Sequence, residues 1–486
     1  MKLTGFTMSE TSLSYVSKQV LFPTEREKLF DQYKDLIETD YTLNRTLVSF
    51  QANKKEPFYR WFKYKEGFSK KLINYFIEKY HPSKGHILDP FAGSGATLFA
   101  AREKGWLSTG IELLPIGVFN VQARLAAEKV SLEEFKNEVN SFWHSFYETS
   151  STDSFIKHIS ITRGAFPEEN EKNLNRYLIC CKNINNNSIR VLLKFAAFSV
   201  LEEISYTRKD GQYLRWDSRA NRSNGNAEFN KGEIFDFILI VKEKIEEIIE
   251  DLSPNQNFDL FAPEGTNILM TDPKILKGSS LEILPNMCSN TFDFVMTSPP
   301  YCNRYDYTRT YALELIFLNN NDDDVKKLRQ AMLTCTVENR EKLNYLENLY
   351  KKLNRASDFD FINSIYFSHP AMSEINDVLS KLNELGKLNN SNIPRMVKNY
   401  FYEMVFVIFE LHRLLKKDGI VVMVNDNVRY GGEEIPVDLI LSDFAKIIGF
   451  KIKKIWTLPI GKGNSSQQMG THGRSELRKC VYIWEK

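Results

Sequence analysis

The stretch that leaves this chain fewest options is His86-Ile87-Leu88-Asp89, followed by Pro90-Phe91-Ala92-Gly93-Ser94-Gly95 and then by Ala96-Thr97-Leu98-Phe99-Ala100-Ala101. A short apolar run predicts a buried strand, and an alanine- and leucine-rich run predicts a helix. The glycines between them supply a tight turn whose backbone N–H groups can approach a ligand. Strand, glycine turn and helix in direct succession predict a doubly wound α/β sheet, which holds its ligands beyond the carboxyl ends of the strands. The alternation continues. Leu107 to Ile111 reads as a second strand ending on Glu112, with a helix from about Ile116. Further strands are expected near Asn267–Thr271 and at Phe292–Met296. An amphipathic helix from Tyr400 to Leu415, a turn at Lys416–Gly419, a strand at Ile420–Val424 and a helix at Pro436–Ile448 follow. The closing strands, Lys451–Leu458 and Cys480–Trp484, are joined by the loop Gly461 to Gly473 with no helix between them. They are expected as an antiparallel hairpin at one edge of the sheet.

Two polar, helix-rich stretches interrupt the pattern, so the domain reading is discontinuous. Residues 1–57 form a helical extension, and 58–125, 264–318 and 396–486 form the core. Residues 126–263 and 319–395 are helical inserts and candidates for target recognition. The runs Asn319–Asp324 and Asn389–Asn392 read as solvated loops. No apolar run reaches the ~20 residues a bilayer demands, so no membrane partner is expected. The six cysteines show no CxxC spacing or Cys/His ligand pattern, which argues against a metal site and disulfides and favours a cytoplasmic location. With a net charge of only +2, any nucleic-acid surface must be local.

The glycine turn lacks the Gly-Lys-Ser/Thr ending of a phosphate cradle. Asp89, at the strand tip, would repel a pyrophosphate and attract an ammonium group. Glu112, at the next strand tip, stands where doubly wound folds bind ribose hydroxyls. An ammonium, a ribose and no phosphate describe S-adenosylmethionine. Candidate cofactor contacts in these segments are Asp89, Phe91, Ala92, Gly93, Gly95, Thr97, Glu112 and Leu113.

A second motif, Ser298-Pro299-Pro300-Tyr301, follows the strand Phe292–Met296. Two prolines hold the backbone extended and remove two N–H donors, leaving carbonyls to accept hydrogen bonds. Ser298 adds a side-chain acceptor and Tyr301 a flat aromatic face. Such a site can grip an amino group on a planar ring. The nitrogen lone pair there is delocalised, and acceptors that pyramidalise the nitrogen free it to attack a methyl sulfonium.

Taken together, these motifs resemble those of the DNA amino-methyltransferases, the adenine-N6 and cytosine-N4 family of restriction–modification systems. Asp89–Thr97 is similar to the family's cofactor motif, and Ser298–Tyr301 to its catalytic tetrapeptide, whose first position is Asp, Asn or Ser. Phe68-Ser69, ahead of a helix at 70–80, resembles the segment before the cofactor turn. Gly278-Ser279-Ser280-Leu281 resembles another cofactor segment, with Ser279 where Asp is common, and Leu414–Gly419 resembles the turn before the fifth strand. The resemblance covers about half the chain. It implies a Rossmann-like methyltransferase sheet, S-adenosylmethionine as cofactor, double-stranded DNA as substrate and a cognate restriction endonuclease as candidate partner. Ser298, Pro299, Pro300 and Tyr301 become the expected catalytic residues. Serine at the first position favours cytosine-N4. Adenine-N6 methylation is the alternative, and an RNA amino-methyltransferase a further one.

Methylating a base amino group requires the base to leave the duplex. Tyr301 is the expected stacking platform. Beyond it, Arg304, Tyr305 and Arg309 suit contacts beside a flipped nucleotide, or else form ordinary surface pairs. In the first insert, residues 206–222 carry Arg208, Lys209 and Arg215 around an Asp210-Gly211 turn, read either as a groove-entering hairpin or as a solvated loop. Lys462, Asn464, Gln467, Gln468, His472 and Arg474 populate the C-terminal loop near the expected DNA cleft.

Overall fold

The computed structural model describes residues 23–486 apart from 66, 82, 151–154, 211–212, 221, 223–227, 254–270 and 460–476. In chain order the strands are β1 Ile37–Thr39, β2 His86–Asp89, β3 Leu107–Glu112, β4 Thr207–Asp210, β5 Tyr213–Trp216 and β6 Lys274–Lys277. They continue with β7 Phe292–Thr297, β8 Leu415–Asp426, β9 Val428–Tyr430, β10 Glu433–Ile435, β11 Lys451–Thr457 and β12 Lys479–Glu485. Eight of them form one sheet in the order β1-β11-β12-β8-β7-β2-β3-β6. β12 pairs antiparallel with β8 and β11, and the other pairings are parallel. From β2 the chain steps outward to β3 and β6, then returns past β2 to lay down β7 and β8. Winding therefore reverses between β2 and β7, which is where sheets of this kind open a ligand crevice.

Both faces of the sheet are covered, and the side-chain period of two sorts residues between them. Val421 and Met423 of β8 join Tyr482 and Trp484 of β12 beneath the helices Ile393–Leu414 and Val437–Ile448. Val422 and Val424 join Val481 and Ile483 on the opposite face, with the helices Lys70–Tyr80 and Ala96–Glu103. The first insert brings helices Leu132–Glu148, Glu168–Lys182, Asn187–Ser199 and Phe237–Leu252 around a third apolar cluster, anchored by Phe119, Ala123 and Leu315 of the core. Helices Leu343–Lys352, Ala356–Ser368 and Pro370–Glu384 of the second insert pack on Ile393–Leu414.

Four expectations change. The C-terminal hairpin is one strand in from the edge, because β1 pairs with β11 and takes the outermost place. The extension ahead of residue 58 thus contributes a strand as well as the helix Glu25–Tyr33. Of the strand expected at 267–271, Thr271 is irregular and the rest lies outside the described residues; β6 begins three residues later. Asn319–Asp324 is only partly loop, because Asn321 caps the helix Asp322–Ala331 through a capping box with Asp324. The Lys416–Gly419 turn is present as an irregularity inside β8: Phe292 pairs with Leu415 but Phe294 with Ile420, and Asp418 has φ 64°.

Candidate active site

Parallel pairing sets the tips of β7, β2 and β3 side by side, carrying Thr297, Asp89 and Glu112. Asp89 is the joint between the two sequence motifs. Its Oδ1 accepts from Thr297 Oγ1 at 2.7 Å and from the Phe91 N–H at 3.1 Å, and its Oδ2 accepts from Thr97 Oγ1 at 2.7 Å. Burial pushes its carboxyl up to about 6, against the pull of these hydrogen bonds. Glu112 clamps the turn from the other side. Its Oε2 accepts from the Gly93 N–H at 2.7 Å and its Oε1 from the Leu114 N–H at 2.6 Å. Burial again dominates and pushes this carboxyl up to about 8.

A cleft opens over these groups, enclosing about 820 Å³ with its open mouth included, a size typical of small-molecule sites. Phe68, Asp89, Phe91, Ala92, Gly93, Thr97, Glu112, Leu113 and Ser279 line it together with Ser298 and Pro300. Two elements far apart in sequence, the cofactor-type turn and the Ser298–Tyr301 segment, thus meet at one cleft, which Ser298 and Pro300 line and Pro299 and Tyr301 do not. Among the described residues its lining holds two buried carboxyls and no lysine, arginine or histidine. That donor set fits S-adenosylmethionine, whose charges include a sulfonium and an ammonium and which has no phosphate; it does not fit a polyphosphate.

Ser298 lines the cleft just past the tip of β7. Its Oγ lies 3.2 Å from the Val424 carbonyl, to which it donates, and 3.1 Å from the Tyr301 hydroxyl. Once its single proton is given to the Val424 carbonyl, the remaining lone pairs are free to accept. Tyr301 is 6% exposed, with Lys479 Nζ 5.7 Å from its ring centroid.

Other expected site residues have different work. Ser69 caps the helix Lys70–Tyr80, accepting from the Leu72 N–H and donating to the Leu47 carbonyl. Gly95 is not in the cleft lining: a Cβ there would lie 2.6 Å from Val121 Cγ2, and its φ is +79°. Lys209 is buried, its ammonium paired with Glu314 and 3.7 Å from Glu202, so it is not offered to a phosphate. β4 alternation turns Lys209 inward and leaves Arg208 exposed. Arg215, 41% exposed, lies 3.5 Å from Asp210 and over the Phe229 ring. β4 and β5 pair antiparallel, with Arg208 directly opposite Arg215. Arg304 donates to Asn389 at 2.8 Å, Arg309 to Glu338 at 2.8 Å, and Tyr305 is buried. The ordinary-pair reading of those two arginines is the one the geometry matches. Residues 462–474 lie outside the described residues.

Sequence reasoning missed four contributors. Tyr64 walls the cleft, stacked on Tyr311 at 5.3 Å, and no motif marks it. Gly117 lets its helix meet the turn, since a Cβ there would fall 2.3 Å from the Gly93 carbonyl. Met332 and Leu333 arrive from the second insert, which the sequence marked only as polar and helix-rich.

Comparison with known proteins agrees with this geometry. A DNA methylase family model of the N6/N4 methyltransferases matches residues 7–115. The chain is 45% identical over 464 residues to the Type II methyltransferase M.AvaI of a Nostoc species, covering 94% of this chain and 92% of that protein. An M.AvaI from Anabaena variabilis gives the same figures. Identity to the Type II methyltransferase M.BsoBI of Geobacillus stearothermophilus is 42% over 490 residues, covering 95% of this chain and 92% of that protein. Similarity of this extent reaches through both inserts as well as the core, and the chain belongs to the DNA amino-methyltransferases of restriction–modification systems.

Proposed function

We propose that the protein transfers a methyl group from S-adenosylmethionine to the N4 amino group of a cytosine flipped out of a specific double-stranded DNA sequence. The observation that carries this reading is the position of Ser298 Oγ, oriented by the Val424 carbonyl, in a cleft whose lining holds two buried carboxyls and, among the described residues, no cationic side chain. Bound S-adenosylmethionine supplies an electrophilic methyl group on sulfur. Glu112 accepts from the ribose hydroxyls in addition to the Gly93 and Leu114 N–H groups. Asp89 holds the turn to β7 through Thr297 and gives the cleft its negative charge. Ser298 Oγ and the Pro299 carbonyl accept the two amino protons of the base, while the Tyr301 ring stacks on it. Held by the Asp89 turn and Glu112, the cofactor would supply its methyl group to the amino nitrogen, whose lone pair these acceptors free, and would keep the bonding electron pair on sulfur. One amino proton then leaves through Ser298 Oγ to water.

Serine at position 298 supports cytosine over adenine, following the family tendency. Target reading falls to the inserts 126–263 and 319–395, and the exposed Arg208 makes the β4–β5 pair one DNA contact. The Type II designation of the relatives supports a cognate restriction endonuclease in the same system and a cytoplasmic site of action. Among the described residues no helix is long and apolar enough to cross a membrane. The test is digestion of modified plasmid to nucleosides and mass spectrometry. N4-methylcytosine is expected. N6-methyladenine would retire the cytosine assignment alone, and an unmodified plasmid would retire the proposed activity.

A further inference from the structure

The second insert reaches the cleft through a single turn. Met332 and Leu333, 6% and 3% exposed, follow the helix Asp322–Ala331 and form part of the cleft wall. The turn is held by a buried polar knot. Glu403, fully buried in the helix Ile393–Leu414, accepts from the Thr334 N–H at 2.8 Å and from Thr334 Oγ1 at 2.5 Å. Lys342 Nζ donates to the two oxygens of Glu403 at 2.9 and 3.1 Å. A buried ion pair is seldom the most stabilising solution for a core, so geometry is the better account of this one. The same turn is stitched to the segment just past the catalytic tetrapeptide. Arg329 Nε donates to Thr308 Oγ1 at 3.1 Å, and Cys335 Sγ to the Tyr305 carbonyl at 3.4 Å.

The two wall residues belong to different apolar clusters. Leu333 belongs to the apolar cluster that contains Leu281 and against which Phe91 packs, both from the cofactor end of the cleft. Met332 belongs to a second cluster, with Tyr307 from the segment past Tyr301 and with Tyr64 and Leu114 of the cleft lining. We propose that this turn is a ligand-binding wall supplied by the second insert: Leu333 closes on the cofactor and Met332 on the ring of the flipped base. The assignment rests on reading the cleft as the methyl-transfer site. The Thr334–Glu403–Lys342 knot acts on both through position.

Titration calorimetry with S-adenosylmethionine and steady-state kinetics on unmethylated plasmid separate the two roles. Leu333→Ala should weaken cofactor binding roughly tenfold, the scale of an apolar contact removed from a binding wall. Met332→Ala should leave cofactor affinity within about twofold and raise KM for plasmid roughly tenfold. Leu379→Ala, an equally buried leucine of the same cluster but absent from the cleft lining, is the control for a loosened core and should alter neither constant. If Leu333→Ala proves too unstable, Leu333→Met keeps the volume and should still shift cofactor affinity measurably. Unchanged affinity in the leucine variants, or equal losses in Leu379→Ala, would overturn the proposal. Wild-type protein that binds no S-adenosylmethionine would instead overturn the reading of the cleft, and the wall assignment with it.

Discussion

Ser298 is a small acceptor on a rigid frame, and what it does shows in which constant changes when it is removed. Ser298→Ala loses a contact that strengthens as the amino nitrogen develops charge, so kcat should fall steeply while cofactor affinity stays near wild type. Full turnover in that variant would place the chemistry elsewhere. Tyr301 carries more than the stacking face visible in the sequence. Its hydroxyl lies 3.1 Å from Ser298 Oγ, so Tyr301→Phe should keep base capture and lower kcat. Glu112 gives a pH signature. Its carboxyl sits at about 8 in the folded protein against an ordinary 4.5, because burial disfavours the charge. Between those values the folded chain holds a proton that the unfolded chain releases, so rising pH costs stability, at most about 1.4 kcal/mol per pH unit. Glu112→Gln lacks that proton exchange. Denaturant midpoints taken at pH 6 and pH 8 should therefore show the variant gaining on the wild type towards pH 8 in the absence of ligand, and parallel curves would contradict it. The identities of Asp89, Glu112 and Ser298 were legible because strand ends and turn residues advertise themselves. Tyr64 was not, since its place on the cleft depends on stacking against Tyr311, far along the chain.

Among the elements, the glycine turn was legible as a turn but not in its division of labour. Only the three-dimensional course of the helix Pro115–Ala127 puts Val121 behind Gly95. Gly95→Val combines that collision with a left-handed backbone, so the expected outcome is a destabilised, poorly soluble protein rather than a folded one that has lost its ligand. Thermal melts beside Gly93→Ala would distinguish the cases. The β4–β5 pair makes a similar point. Its Asp210-Gly211 signal predicted the turn, while the inward or outward sense of each basic residue followed from a register that periodicity over four residues does not set. Arg208→Ala should reduce the salt dependence of DNA binding by about one unit. An unaltered slope would remove that strand from the DNA surface.

At the scale of the whole molecule, the core was legible as alternating strands and helices. The inserts were legible only as helical, because which helices share each apolar cluster is set by packing between separate elements and not by the periodicity within one. One residue shows how firmly the first insert is seated. Lys209 reaches from β4 to Glu314 in the helix Ala312–Phe317, and its ammonium lies about 5 Å from the rings of Phe62 and Tyr311. Lys209→Ala leaves Glu314 buried without its cation, at a cost of roughly 3–5 kcal/mol. Urea unfolding of that variant should show the loss, and Lys209→Ala/Glu314→Leu should recover much of it.

β1 has a bearing on how the protein is made. Ile37 pairs with Ile455, so a strand synthesised near the beginning finds its neighbour only near the end. At about 5–20 residues per second the ribosome needs roughly 20–80 s to produce that neighbour. For that interval β1 has no partner strand, and β11, once joined to the sheet through β12, is its rim until β1 pairs with it. An unpaired rim is a template for pairing between chains. The last parallel pairing therefore acts as a completion seal: a chain that lacks it ends its sheet on the seven-residue β11, whereas the paired sheet ends on the three-residue β1, a far shorter template.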